Sequence, residues 1–353
     1  MKRRFSLLST AILAILFTLT FSVSAWSADK FVLRYASEYM DKHPTVVGAI
    51  IPWIEEVKKL SGGRLEIQFF NPNAICPARE AYPSLVRGVV DMVGSPCHWA
   101  HGKFPLNEVI HTPFTFTGAE AASLTAWDLY NKYPEWRNEF KDIKVLWQWA
   151  SAVFQLNTTK KLVRTLEDLE GMKIIGINPK GRELLKKVGA IPIEVTPQDA
   201  YLAMQRGMAE GMLFPIAPSK SFKISEVAKY HTIINAICDP FYGAINIKKW
   251  ESLPPDLQKI LEDTTGRKLA QACGKALDVG DVRDAKWMKE KGDEFYVLPP
   301  AEKARWFDKI KDISDNWMNQ VKEKGYDNAE QIFEDTLKIA EKYAKTTEGG
   351  YAQ

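Results

Sequence analysis

The sequence is poor in the patterns that mark catalysis. It has no G-x-S-x-G elbow, no phosphate-binding P-loop and no G-x-G-x-x-G between a strand and a helix. The usual signatures of acyl transfer, nucleotide hydrolysis and dinucleotide binding are therefore missing. Histidine is scarce, at five residues, and its one cluster, "CHWAH" from Cys97 to His101, has neither a zinc spacing nor a second ligand pair. No catalytic residue, metal ligand or cofactor is nominated. Four cysteines, Cys76, Cys97, Cys238 and Cys273, stand too far apart to spell a disulfide framework. One or two bridges, a Cys76–Cys97 pair among them, and free buried thiols all stay open.

An excess of one charge is missing too. Lys and Arg number 47 against 44 Asp and Glu, and Lys2, Arg3 and Arg4 supply three positives, as many as the net charge of +3. No basic stripe or RNA-type motif is present, so nucleic acid is not an expected partner. Beyond the first residues, no stretch approaches the roughly 20 apolar residues that a membrane span needs.

What is present begins at the N-terminus. "MKRRFSLLSTAILAILFTLTFSVSAWSADK" has a basic start, an apolar run from about Leu7 to Val23, and small residues at Ser24, Ala25, Ser27 and Ala28. That order is a secretory signal peptide, expected to occupy residues 1–27, with the cleaved bond after Ala25, Ser27 or Ala28. The remaining chain is expected to be exported, to the periplasm in the reading developed below. Its length suits about two domains.

Strands and helices then alternate. "FVLRYASE" gives a strand from Phe31 to about Ala36, and a helical stretch follows to Leu60, kinked or divided at Pro52. "SGGRLEIQFF" reads as a glycine stop and a strand from Leu65 to Phe70, and strands recur from about Val145 to Asn157. This alternation predicts an α/β fold with a parallel or mixed sheet. From Pro254-Pro255 a single helix could run for over 30 residues, and "EFYVLP" adds one late strand. Trp306, Ile310, Ile313, Trp317 and Val321 recur at spacings of three and four, which puts them on one helix face against the body.

"GMKIIGINPKGRELLKK", from Gly171 to Lys187, reads as a buried strand, a break at Asn178-Pro179 and a basic helix start after Gly181. A strand end feeding a helix start is a common place to hold a small anion. Yet the inward residues here are isoleucines. An exported α/β chain of two-domain size, with no nucleophile and base to pair, points to a solute-binding protein.

Several ordered blocks then carry a resemblance. "NPNAICPAREAYPSLVRGVVDM", "TPFTFTG", "TLEDLEGMKI", "VGAIPIEVTPQDAYLAMQRGMAEGM" and "INIKKWESLPPDLQKIL" resemble the substrate-binding proteins of TRAP (tripartite ATP-independent periplasmic) transporters, the DctP-like receptors. The likeness runs from about Phe31 to about Leu298. It implies a two-lobed, class II periplasmic-binding-protein-like fold with a ligand cleft between the lobes, a long interlobe helix and C-terminal helices. The implied bounds are 28–150 with about 240–275 for one lobe, 151–239 with about 276–300 for the other, and 301–353 for the C-terminal helices. The implied activity is capture of a small organic carboxylate and delivery to an ion-gradient-driven membrane permease. Presentation of the ligand to a membrane sensor is the alternative.

The resemblance also shows a departure. In such receptors the strand after the "DLEG" block usually reads like K-I-R-V-P, and its arginine grips the ligand carboxylate bidentately. Here Ile175 takes that place, Phe154 takes the place of a second arginine, and Trp99 and Phe214 stand where polar residues are frequent. Asn178 matches a polar pocket position. The ligand implied is a carboxylate with an apolar or aromatic body. Arg182, Lys180, Arg79 and His98 are the candidates for its charged end, and Glu38, after the first strand, would instead favour a cationic solute.

Overall fold

The computed structural model describes residues 29–351. The signal peptide expected at 1–27 lies outside the described residues. Eleven strands follow in chain order: β1 (Phe31–Ala36), β2 (Leu65–Phe70), β3 (Met92–Pro96), β4 (Lys144–Ala150), β5 (Gln155–Thr158), β6 (Lys173–Gly176), β7 (Ile191–Ile193), β8 (Gly211–Phe214), β9 (Tyr230–Ile233), β10 (Pro240–Ile245) and β11 (Glu294–Val297). They form two sheets, β2-β1-β3-β10-β4 and β11-β9-β5-β8-β6-β7, one for each lobe.

Both sheets are mixed, for a topological reason. β1, β2 and β3 pair in parallel through helical crossovers, whereas β10 returns from the second sheet and pairs antiparallel with both β3 and β4. Close approach makes Gly243 necessary on β10, because a Cβ there would lie 2.2 Å from the Trp147 ring. The chain passes between the sheets at 151–154 and again at 234–239, and these two segments bond to each other. Ser151 N–H donates to the Asp239 carbonyl at 2.9 Å, Phe154 N–H to Ile237 at 2.8 Å, and Ala236 N–H to the Phe154 carbonyl at 3.0 Å. Asp239 N–H donates to the Ser151 hydroxyl at 2.9 Å.

The third passage is the helix Gly266–Glu290. The single run anticipated from Pro255 is divided, into Pro255–Thr264 and Gly266–Glu290. Gly266 has φ +57°, a left-handed conformation that only glycine adopts cheaply, so the helix breaks there. The long second part touches both lobes. Its Asp278 accepts from the amides of Ala119 and Glu120 at 2.7 and 2.9 Å, and its Asp281 accepts from Ala217 at 2.7 Å. Each carboxylate thereby satisfies the free amides that begin a helix, one in each lobe.

The other local expectations fare as follows. Pro52 sits in the first turn of Ile51–Leu60, where a missing N–H is harmless, and one wide turn, Val46–Ile50, precedes it. The helix after β6 begins earlier than Gly181. Pro179 is its first residue and the Asn178 carboxamide accepts from Gly181 N–H at 2.6 Å. The stripe Trp306, Ile310, Ile313, Trp317, Val321 is buried, but over two helices, Pro300–Ile310 and Asp312–Glu323. Its first three residues pack into the second lobe beside Phe154 and Leu184, and its last two into the first lobe beside Trp136 and Tyr242. All four cysteines are buried free thiols, so the Cys76–Cys97 bridge is not formed. No helix among the described residues is long and apolar enough to cross a membrane.

Candidate functional site

In parallel sheets the carboxyl ends of the strands face a crevice, and loops leaving them line it. Here the two sheets turn those ends toward one cavity, with about 600 Å³ of empty space counting its open mouth. The first wall is supplied by Glu38 and Tyr39 after β1, Arg79 after β2, His98 and Trp99 after β3, and Phe241 on β10. The second wall is supplied by Phe154, Ile177 after β6, Phe214 at the end of β8, and Pro215, Pro218 and Phe222 beyond it. The crossing segments add Ser151 and Asp239, and the turn into the helix Pro197–Gln205 adds Thr196 and Gln198.

Six of the nine residues expected in the cleft line it: Glu38, Arg79, His98, Trp99, Phe154 and Phe214. Phe154 and Phe214 meet edge to face, with ring centroids 6.1 Å apart. Three do not. Ile175 is fully buried among Ala200, Met204, Met212 and Ile224, behind the wall. Ile177, two residues on and beyond the strand end, reaches the cavity instead. The Asn178 carboxamide oxygen is taken up as the helix cap, while its Nδ2 is buried with no hydrogen-bond partner among the described residues. Arg182 donates to the Gly176 carbonyl at 3.1 Å and pairs with Glu194 at 3.3 Å. Lys180, the further cation candidate, is turned to Glu183 at 3.2 Å and Glu108 at 4.0 Å.

Every ionisable liner therefore belongs to the first wall or the crossing segments. Asp239, which sequence reasoning missed, is the anchor of that side. It is 1 % exposed and receives His98 Nδ1 at 3.1 Å and His111 Nε2 at 2.9 Å. Burial alone would raise its carboxyl, but the two imidazoles outweigh burial and hold it well below the usual carboxylate range. An ionised Asp239 needs hydrogen on the nitrogens that face it. His98 is thereby fixed in orientation on the cavity wall. A lone acid in the apolar run "INAICDPFYGAI" was the available signal.

Arg79 is half-exposed, and its nearest carboxylate is Glu194, across the cleft at 3.9 Å. That contact is long and solvated, so it leaves the guanidinium available. Glu38 is the opposite case. It is 4 % exposed, and burial pushes its carboxyl up to about 8 against one favourable backbone hydrogen bond. It is mostly protonated at neutral pH, which removes the anionic site that would have favoured a cation.

Comparison with known proteins identifies the family. Residues 35–320 match the model of bacterial extracellular solute-binding proteins, family 7 (DctP). The chain is 24% identical over 242 residues to the 2,3-diketo-L-gulonate-binding periplasmic protein of Escherichia coli, covering 68% of this chain and 73% of that one. A TRAP solute-binding protein of Rhodoferax ferrireducens, solved with copurified benzoate, superposes with a TM-score of 0.84 at 24% identity, over 90% of this chain and 99% of that one. A TRAP periplasmic solute-binding protein of Bordetella bronchiseptica, solved with (R)- and (S)-mandelate, gives 0.82 at 25%, over 89% and 99%. The chain belongs to family 7 of the bacterial extracellular solute-binding proteins, a family of two-lobed receptors that serve TRAP transport.

Proposed function

We propose that this protein is a periplasmic receptor for an aromatic monocarboxylate, exported by a signal peptide at 1–27, which hands its ligand to a TRAP-type membrane permease. It acts by binding and not by turnover. The lobes we assign are 28–150 with about 240–275, and 151–239 with about 276–300, so that the ligand lies between them. The observation that carries the reading is the division of charge across the cleft. Arg79 and His98 stand on one wall, and Phe154, Ile177, Phe214 and Phe222 on the other.

The physical argument is one of matching. A carboxylate costs several kcal/mol to dehydrate unless it is paired, so its place is beside Arg79 and His98. A charge-assisted hydrogen bond there contributes about 1.5–3 kcal/mol. An aromatic body against the second wall gains about as much as a buried Phe side chain, roughly 1.5–3 kcal/mol. A sugar acid would set hydroxyls against Phe154, Ile177, Phe214 and Phe222, and those out of reach of Thr196 and Gln198 would be left unpaired at about 1–3 kcal/mol each. The benzoate and mandelate held by the two similar receptors are of the favoured class.

A thermal-shift screen tests this. Ligand at about 100 times its Kd stabilises the folded state by about 2.7 kcal/mol, a visible rise in Tm. Benzoate and related aromatic acids are expected to raise Tm, and D-glucuronate and succinate to leave it near the ligand-free value. A rise with the polar acids alone would sink the reading.

A further inference from the structure

Glu38 is an ionisable liner whose chemistry the carboxylate-and-ring reading does not use. Its Oε2 is buried and has no hydrogen-bond partner among the described residues. No Lys, Arg or His among them forms an ion pair with it. The groups close enough for its charge to act on are Tyr35, Tyr39, Tyr242 and Cys273, none of them cationic. The space it occupies depends on Gly94 of β3, where a Cβ would lie 2.4 Å from Oε2 and 2.3 Å from the Tyr35 hydroxyl. A buried polar group without a partner is unfavourable, and it becomes favourable only when something supplies the partner.

We propose that Glu38 forms a second polar subsite of the cleft that takes a hydroxyl group of the ligand, so that the receptor selects hydroxylated aromatic acids. A hydroxyl is the group that fits. It can accept the proton of a carboxylic acid or donate to its oxygen, and either way it gives Oε2 the partner that it lacks. A second carboxylate on the ligand could accept the proton but would donate nothing, and it would bring a second negative charge beside Asp239. An ammonium group would face Arg79 across the same cavity. Burial keeps Glu38 protonated at neutral pH, which is the form that donates. A pocket that leaves a polar group unpaired discriminates against the analogue lacking the matching hydroxyl.

The subsite rests on the aromatic-acid reading above, and titration calorimetry separates the two. The probes are benzoate, its three monohydroxy isomers and benzylamine, against the wild type, Glu38→Gln and Glu38→Ala. The wild type is expected to bind at least one hydroxybenzoate about tenfold more tightly than benzoate. Glu38→Gln, which keeps a donor and an acceptor, retains that ratio within about threefold, and Glu38→Ala brings it near one. Equal affinity of the wild type for benzoate and all three isomers overturns the subsite alone, as does a ratio unchanged in Glu38→Ala. Binding of benzylamine in preference to every acid, or of no aromatic acid, overturns the subsite and the underlying reading together. Should Glu38→Ala not fold, Glu38→Met takes its place, and a hydroxybenzoate ratio unchanged in that variant overturns the subsite.

Discussion

The two walls of the cleft come from lobes of the same general build, yet they differ in kind. The first carries Glu38, Arg79 and His98, with Asp239 behind His98. The second carries no ionisable side chain among its liners. In the receptors this chain resembles, an arginine on the strand after the "DLEG" block grips the ligand from the second side. Here that strand runs into Ile177 at the cavity, and in the function proposed above the ligand's charge is met from the first wall. In the function proposed above, this is how one fold changes its ligand class. The strands and crossings stay, and the residues at a few strand ends change the chemistry.

The harshest way to break the comparison is to remove the anchor of the charged side. Asp239→Ala leaves His98 and His111 without their shared acceptor in a buried position. We expect a loss of about 3–5 kcal/mol in unfolding free energy, read by urea denaturation. A loss under about 1 kcal/mol would mean that the cluster does not organise that wall. A milder change tests the charge itself. Arg79→Met keeps an apolar stem and removes the guanidinium, and it should weaken benzoate binding by roughly tenfold to a hundredfold. The neutral analogue benzamide should lose much less in the same calorimetric titration. Equal losses would place the carboxylate elsewhere.

The smallest effect concerns pH. Burial raises Glu38 to about 8, and it raises Glu139 to about 8 against hydrogen bonds from Leu106 and Asn107. Between about pH 4.5 and 8 the folded protein keeps these protons while the unfolded chain has released them. The stability they contribute is complete below pH 4.5 and is lost as pH rises through 8. The ligand-free protein should therefore be easier to unfold at pH 8 than at pH 6. Glu38→Gln should remove about 1–2 kcal/mol of that difference. Asp239 shifts in the opposite direction and acts only in acid, below this window.

Much of the fold could be read from residue patterns. β1 and β2 were legible because an apolar run ended in clear turn signals, and Asn178-Pro179 marked a helix start by side-chain chemistry. The return of β10 into the first sheet was not legible, since strand pairing depends on contacts across more than a hundred residues. The break at Gly266 was hidden within a good helical pattern, where only the backbone angle reveals it. In the cleft, side-chain type was easier to anticipate than reach. Ile175 and Ile177 point to the same side of their strand, but only the residue past the strand end meets the cavity. Arg182 and Asn178 had the right polarity and were already committed, one to Glu194 and Gly176, the other to its helix. Asp239 lies in a segment whose nearness to the cleft follows from a crossing between the lobes, and Phe222 follows the short helix beyond β8; no local pattern encodes either placement.

The central claim is that the ligand's charge meets the first wall and its body the second. A crystal structure of the protein with benzoate tests this most directly. The account predicts the carboxylate within hydrogen-bond distance of Arg79 or His98, with the ring against Phe154 and Phe214. A carboxylate turned toward Phe214 and Phe222, or a ring lying outside the cavity, would contradict it.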